Sequence, residues 1–290
     1  MREAMKLRSP DDIHSFFNHF GLSTDESLRV TYATTSGNFD SLRFTENSNN
    51  RIVIASAPRT GSTFLLELLI RYSGFVENNY ALKGGRCFHN LTPTKMWVGR
   101  KINAFARHPI TATVDNLELL QKFECKVIVI TRNIYDILIS LAEHLPRENL
   151  GWPFLNTDIF GSHLSSTMSN KTAIKFAANV ALPWYFSHYV SWYREHKNGI
   201  VPILFTNYRE IENDSIEVVA KVCKFLNIKF DARRANSILE NLFEERRKFN
   251  FHRGVSGRGV SKIGERQKKI IKEYIELIDD CDFQEFGFID

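Results

Sequence analysis

The sequence predicts an α/β fold in which a central parallel sheet carries helices on both faces. Three segments predict it. Residues 51–67, RIVIASAPRTGSTFLLE, run from a β-branched apolar stretch through a Pro-Arg-Thr-Gly turn into helical spacing. Residues 126–144, KVIVITRNIYDILISLAEH, repeat that strand-to-helix order. An apolar run at 201–206 is again followed by a helical pattern. Strands that alternate with helices cross over and pair in parallel, and the helices cover both faces.

The elements follow in chain order. Ser9-Pro10-Asp11 opens a helix with a capping residue and a proline in the first turn. Ile13, Phe16, Phe17 and Phe20 share one face of it, and Gly21 stops it. This amphipathic helix lies in an N-terminal extension, residues 1–50. It packs on the main body or serves as a lid or dimer element, so a homodimer stays open. Next come a strand at 52–57, a helix at 62–72, a helix near 115–122, a strand at 127–131 and a helix at 135–145. Residues 146–170 carry Pro, Gly, Ser, Asn and Thr with little periodicity, the character of a long functional loop. The helical pattern at 171–197 is interrupted at Pro183. A strand at 201–206, helices at 214–226 and 232–243, and a last helix from Ser261 complete the chain. No repeat and no compositional boundary divides it, so residues 1–290 read as one domain.

A strand that turns sharply into a helix makes an anion cradle, because the free N–H groups of the first turn and the helix dipole point at the same spot. Gly61 lets the backbone close around a phosphate, while Arg59, Thr60, Ser62 and Thr63 add a charge and hydroxyls. The loop is not a nucleoside-triphosphate loop of the Gly-x-x-x-x-Gly-Lys-Ser/Thr kind. Ser62 follows Gly61 where the lysine belongs, and Ser56 stands in place of the early glycine. Such a cradle suits a 5′-phosphate group better than a triphosphate. The bland alternative is an ordinary strand-to-helix turn. In the second segment, Arg132 ends the strand and Ser140 lies eight residues on, about two turns along the helix. An arginine fork and a serine hydroxyl can grip one phosphate from two sides.

Together the two motifs resemble the sulfotransferase family that uses 3′-phosphoadenosine-5′-phosphosulfate (PAPS). PRTGSTF is similar to that family's 5′-phosphosulfate loop, and Arg132-Asn133 with Ser140 to its 3′-phosphate motif. FHRGVSGRG, residues 251–259, resembles its Arg-Lys-Gly-x-x-Gly loop through Arg253, Gly254 and Gly257, with His252 where an arginine is usual. The resemblance spans about residues 50–275. It implies a P-loop NTPase-like sulfotransferase fold, PAPS as donor, adenosine 3′,5′-bisphosphate (PAP) as product, and no metal. It also implies roles. Arg59 would face the bridging and sulfuryl oxygens as a catalytic cation. Thr60, Gly61, Ser62 and Thr63 would hold the 5′-phosphate. Phe64, Tyr193 and Phe243 would lie near adenine. Arg132, Ser140, His252, Arg253 and Gly254 would hold the 3′-phosphate.

For the general base, His108 stands before Pro109, 24 residues ahead of Arg132, as in the family's Lys-Thr-His-x-Pro segment, although Ala106 and Arg107 replace the lysine and threonine. Glu67 and Glu77 are the alternatives, since some carbohydrate members use a glutamate soon after the first motif. His89 and His144 are weaker candidates. His188, Tyr189, Trp192 and Tyr193 cluster at helical spacing, and core packing suits most of these rings.

Composition sets the remaining bounds. Hydrophobic residues at 43% and charged residues at 24% are ordinary for a soluble globule. The net charge of +5 is mild, and the basic residues form no single tract, which fits an anionic cofactor and not a nucleic acid. Cys87, Cys125, Cys223 and Cys281 are scattered without metal-ligand spacing, which suits free thiols in a reducing compartment. The start, MREAMKLRSP, lacks a signal-peptide apolar region, and no run has the length of a membrane span. The expectation is a cytoplasmic sulfotransferase acting on a hydroxyl or amine of a small molecule or soluble glycoside, with no nucleic acid and no membrane partner. A nucleotide-dependent kinase and a non-catalytic PAP-binding protein are the alternatives.

Overall fold

The computed structural model describes residues 50–81, 90–100, 102–145, 169–245 and 256–289. Among them stands a five-stranded sheet in the order β2-β3-β1-β4-β5, with every pairing parallel. Its strands are β1 (Arg51–Ser56), β2 (Val76–Asn78), β3 (Ala104–His108), β4 (Lys126–Thr131) and β5 (Ile203–Asn207). The central strand β1 is buried along its whole length, as expected of a strand covered on both faces.

Helices α1 (Ser62–Ser73), α2 (Pro93–Gly99), α3 (Val114–Lys122) and α4 (Ile134–His144) follow the first four strands in alternation. Beyond α4 lie α5 (Asn170–Phe176) and α6 (Leu182–Asn198). After β5 come α7 (Tyr208–Asn213), α8 (Ser215–Leu226), α9 (Ala232–Glu244), α10 (Gly259–Lys262) and α11 (Glu265–Leu277). One face of the sheet, with Ile52, Ile54, Phe105, Ile128 and Ile130, packs under α1, α8 and α9. The other, with Val53, Ala55, Ala106, Val127 and Val129, packs under α2, α3 and Trp192 of α6. A further core joins α4, α5, α6, α11 and the C-terminal phenylalanines.

The expected sheet, with helices on both faces, is present. Three details differ. Strands β2 and β3 and helices α2 and α7 were not among the expected elements. The pattern at 171–197 was expected to break at Pro183, but the helix continues. A π-helical turn at Ala177–Ala181 precedes Pro183, which then sits in the first turn of α6, where its missing N–H costs nothing. The last helical stretch begins at Gly259 and divides into α10 and α11. The helix expected between Ser9 and Gly21, Cys87, His89 and most of the loop at 146–170 lie outside the described residues.

Candidate active site

The β1–α1 turn is shaped by its own backbone and by two tyrosines. Gly61 caps α1 at φ +88°, and no side chain caps the helix, so its first-turn N–H groups face outward from the turn. Arg59 also takes a left-handed conformation, φ +70°, which is uncommon for a residue with a side chain and marks a position held by its surroundings. Thr60 Oγ1 donates back to the Ala57 carbonyl at 2.8 Å, and Tyr185 Oη donates to the Pro58 carbonyl at 3.1 Å. Only a glycine fits at 61 for a second reason: a Cβ there would come within 2.7 Å of the Tyr208 ring.

Arg132 leaves the end of β4 and reaches this turn. Its Nη1 donates to the Arg59 carbonyl at 2.9 Å, and its guanidinium lies 3.9 Å over the Tyr208 ring. Arg59 Nε donates to Ser140 Oγ at 3.0 Å. Arg59, Arg132 and Ser140, which are far apart in sequence, therefore meet beside the N-terminus of α1. Burial holds the Arg132 guanidinium below its usual basicity, Tyr208 and Asp136 oppose this, and Arg258 and Arg59 add to it. Arg132 is 6% exposed, and its Nε is buried without a hydrogen-bond partner. Asn133, which caps α4 by accepting from the Tyr135 N–H, leaves its Nδ2 unpartnered as well. Both donors belong to residues lining a cavity of about 50 Å³, together with Asp136, Tyr208 and Ser256.

Arg107 joins the other side of the turn. Its Nη1 donates to Thr63 Oγ1 at 3.1 Å and to Ser62 Oγ at 3.5 Å. Side chains alternate along a strand, so Arg107 shares a face with Phe105, and Glu77, which pairs with Phe105, lies on that face too. His108 faces the opposite way, into the core under α2. Its Nε2 accepts the Tyr80 N–H at 3.0 Å, and burial, with Lys95 and Arg107 nearby, lowers its pKa to about 4. The expected base is thus a buried hydrogen-bond acceptor on the face of β3 opposite Arg107. Glu67 is engaged by Arg71 Nε at 2.7 Å on the surface of α1, and Arg71 also pairs with Glu245.

The aromatic expectations divide. Phe64 is buried in the core and stacks on Phe243 at 6.0 Å, whose ring is 38% exposed. Tyr193 does not approach the turn; it packs against Tyr189 and Phe286 beneath Lys197. Tyr185, eight residues earlier on the same helical run, is the tyrosine that reaches the turn, at the Pro58 carbonyl. His252, Arg253 and Gly254 lie outside the described residues. Tyr185, Tyr208 and Arg107 were not singled out from sequence. The signal for Tyr185 was the two-turn repeat that puts it on the Tyr193 face, and the signal for Arg107 was strand alternation. Among the described residues, no group of three or more His, Cys, Asp or Glu side chains is placed to hold a metal ion, and no helix is long and apolar enough to cross a membrane.

Known proteins share this fold. A family model described as the sulfotransferase domain matches residues 49–275. The chain is similar to the structure of the mouse sulfotransferase SULT7A1 complexed with PAP, at 18% identity and a TM-score of 0.61, covering 90% of this chain and 92% of that one. It is also similar to retinol dehydratase in complex with androsterone and inactive cofactor PAP, at 16% identity and a TM-score of 0.53, covering 81% of this chain and 82% of that one. Identities this low speak for the fold alone, whereas the family model covers most of the chain. The chain belongs to the sulfotransferase domain family and is a sulfotransferase enzyme.

Proposed function

We propose that the protein transfers a sulfuryl group from PAPS to a hydroxyl or amine of a small molecule or soluble glycoside. The observation that carries this reading is the meeting of Arg59, Arg132 and Ser140 beside the uncapped N-terminus of α1. Two guanidinium groups are held close together there, and one of them keeps a buried N–H without a partner. Such a cluster is stabilised by an anion, and two separate grips suit a nucleotide phosphorylated at both ends. The structures similar in fold are complexes with PAP, which supports the same choice of nucleotide. When bound, PAPS supplies the sulfuryl group and leaves as PAP.

The residues divide the work. The first-turn N–H groups with Ser62 and Thr63 hold the 5′-phosphate, and Arg132 with Ser140 the 3′-phosphate. Arg59 faces the charge that develops on the leaving oxygen, where a fixed cation is worth most. Arg107 adds a second cation on the Ser62 and Thr63 side. The proton of the acceptor goes to a carboxylate in this reading, with Glu77 on the face of Arg107, because His108 is committed to the Tyr80 N–H. Phe243, exposed beside Phe64, offers a ring edge for adenine. The free buried thiols Cys125 and Cys223 suit a reducing, cytoplasmic setting.

Incubation with sulfur-labelled PAPS and a panel of phenols, amines and glycosides tests the proposal. Label should pass to an acceptor with one PAP released per transfer. Movement of the ATP γ-phosphate to the same panel, without sulfuryl transfer, would overturn it in favour of a kinase.

A further inference from the structure

The chain returns to the Arg132 cavity at Ser256, and a buried carboxylate meets it there. Asp136, in the first turn of α4, is 1% exposed. Its Oδ2 accepts the Gly257 N–H and its Oδ1 the Gly259 N–H, each at 2.7 Å. These are short, charge-assisted bonds made by both oxygens of one carboxylate, at a helix N-terminus where a negative charge is favoured. The turn is fitted to this grip. Gly257 takes φ +83°, and a Cβ on Gly259 would lie 2.2 Å from the Tyr135 carbonyl carbon and 2.4 Å from the Asp136 nitrogen. Backbone cannot move aside as a flexible side chain would. Two further ties hold the same four residues. Ser256 Oγ donates to Glu212, and Arg258 makes a two-pronged ion pair with Glu143 at 2.8 Å. Asp136 and Ser256 line the cavity that also contains Arg132 and Asn133, the two residues with unpartnered donors.

We propose that Asp136 is a positioning residue for the 3′-phosphate end of the donor site: it fixes the Gly257–Gly259 turn on α4 and so holds the wall of the Arg132 cavity in place. The proposal rests on the assignment of Arg132 and Ser140 to the 3′-phosphate. Electrostatics and positioning predict opposite signs here. A carboxylate beside an anion site repels the anion, so its removal by charge alone would tighten binding. If its task is to hold the turn, removal weakens binding despite the lost repulsion.

Calorimetric titration of the full chain with PAP and with 5′-AMP decides between them. Asp136→Asn should weaken PAP binding roughly tenfold or more, the scale of losing a buried hydrogen bond to a charged group. Binding of 5′-AMP, which lacks the 3′-phosphate, should change by about threefold or less, and kcat at saturating PAPS should hold while KM for PAPS rises. Gly259→Ala attacks the same contact without altering charge and should give the same pattern. If neither variant folds, Gly257→Ala carries the test, since open space surrounds its Cβ and only the backbone is strained; it should move PAP binding in the same direction. Tighter PAP binding in Asp136→Asn, or an unchanged ratio of PAP to 5′-AMP affinity in the variants that fold, overturns the proposal. A wild-type protein that binds PAP and 5′-AMP alike refutes the donor assignment itself and takes the proposal with it.

Discussion

Arg59 Nε donates to Ser140 Oγ across 3.0 Å, joining the turn after β1 to the middle of α4 through residues 81 positions apart. The same turn accepts Arg132 Nη1 at the Arg59 carbonyl. One arginine thus touches both residues assigned to the 3′-phosphate while standing at the end assigned to the 5′-phosphate.

Arg59→Ala removes a cation aimed at charge that grows in the transition state. It should lower kcat by about 100- to 1,000-fold, or about 3–4 kcal/mol. Thermal melting should show a folded protein. Turnover within a few-fold of wild type in a stopped assay with labelled PAPS would remove Arg59 from the chemistry.

Gly61→Ala should destabilise the fold by about 1–3 kcal/mol, because the added methyl meets the Tyr208 ring and the backbone keeps a positive φ. The companion change Tyr208→Ala opens that space, so the double variant should lose less than the sum of the two single ones. Strict additivity in denaturant melts would contradict the contact.

His108 should govern stability and not turnover. Its folded pKa, about 4, lies below the ordinary histidine value, so the unfolded chain binds more protons between these values. Stability is present in full above about pH 6.5 and falls as pH drops toward 4. The effect at this site is at most about 3 kcal/mol. His108→Gln, which keeps an acceptor for the Tyr80 N–H, should flatten that pH dependence and hold kcat within a few-fold. A large loss of kcat in a variant that folds and binds PAP would restore the histidine as the base.

Glu77→Gln should lose about 100- to 10,000-fold in turnover with PAP affinity intact, the usual scale for removing a positioned base. Arg107→Gln should weaken PAP binding about tenfold through the loss of a charged donor beside Ser62 and Thr63. Single-turnover rates measured beside equilibrium titrations separate the two effects. A Glu77→Gln enzyme of normal rate would mean that a different group accepts the proton.

The parts of the site that were legible in sequence are local. Gly61 with its hydroxyl neighbours, and Arg132 with Ser140, sit on strand-to-helix units whose β-branched runs announce them, and the two-turn separation of Arg132 and Ser140 follows from helix geometry alone. What was not legible depends on elements too short to leave a pattern. Strand β2 has three residues and β3 five, so nothing in the sequence said which of Arg107 and His108 faces the site. Period-two alternation makes that choice absolute once the strand is known, and a one-residue difference sent the imidazole into the core. Tyr185 and Tyr193 were indistinguishable for a related reason. They lie on one helix face two turns apart, and only the packing of Phe286 on Tyr193 and the reach of Tyr185 to Pro58 separate them.

In the proposed mechanism Arg59, Arg132 and Ser140 form one site for a nucleotide phosphorylated at both its 3′ and 5′ positions. The most direct measurement is isothermal titration of wild type and Arg132→Ala with PAP and with 5′-AMP. Wild type should prefer PAP by about 100-fold, consistent with a paired arginine and hydroxyl on one phosphate. Arg132→Ala should bind the two nucleotides alike. Equal affinity of the wild-type protein for PAP and 5′-AMP, or a preference that survives the loss of Arg132, would contradict the account.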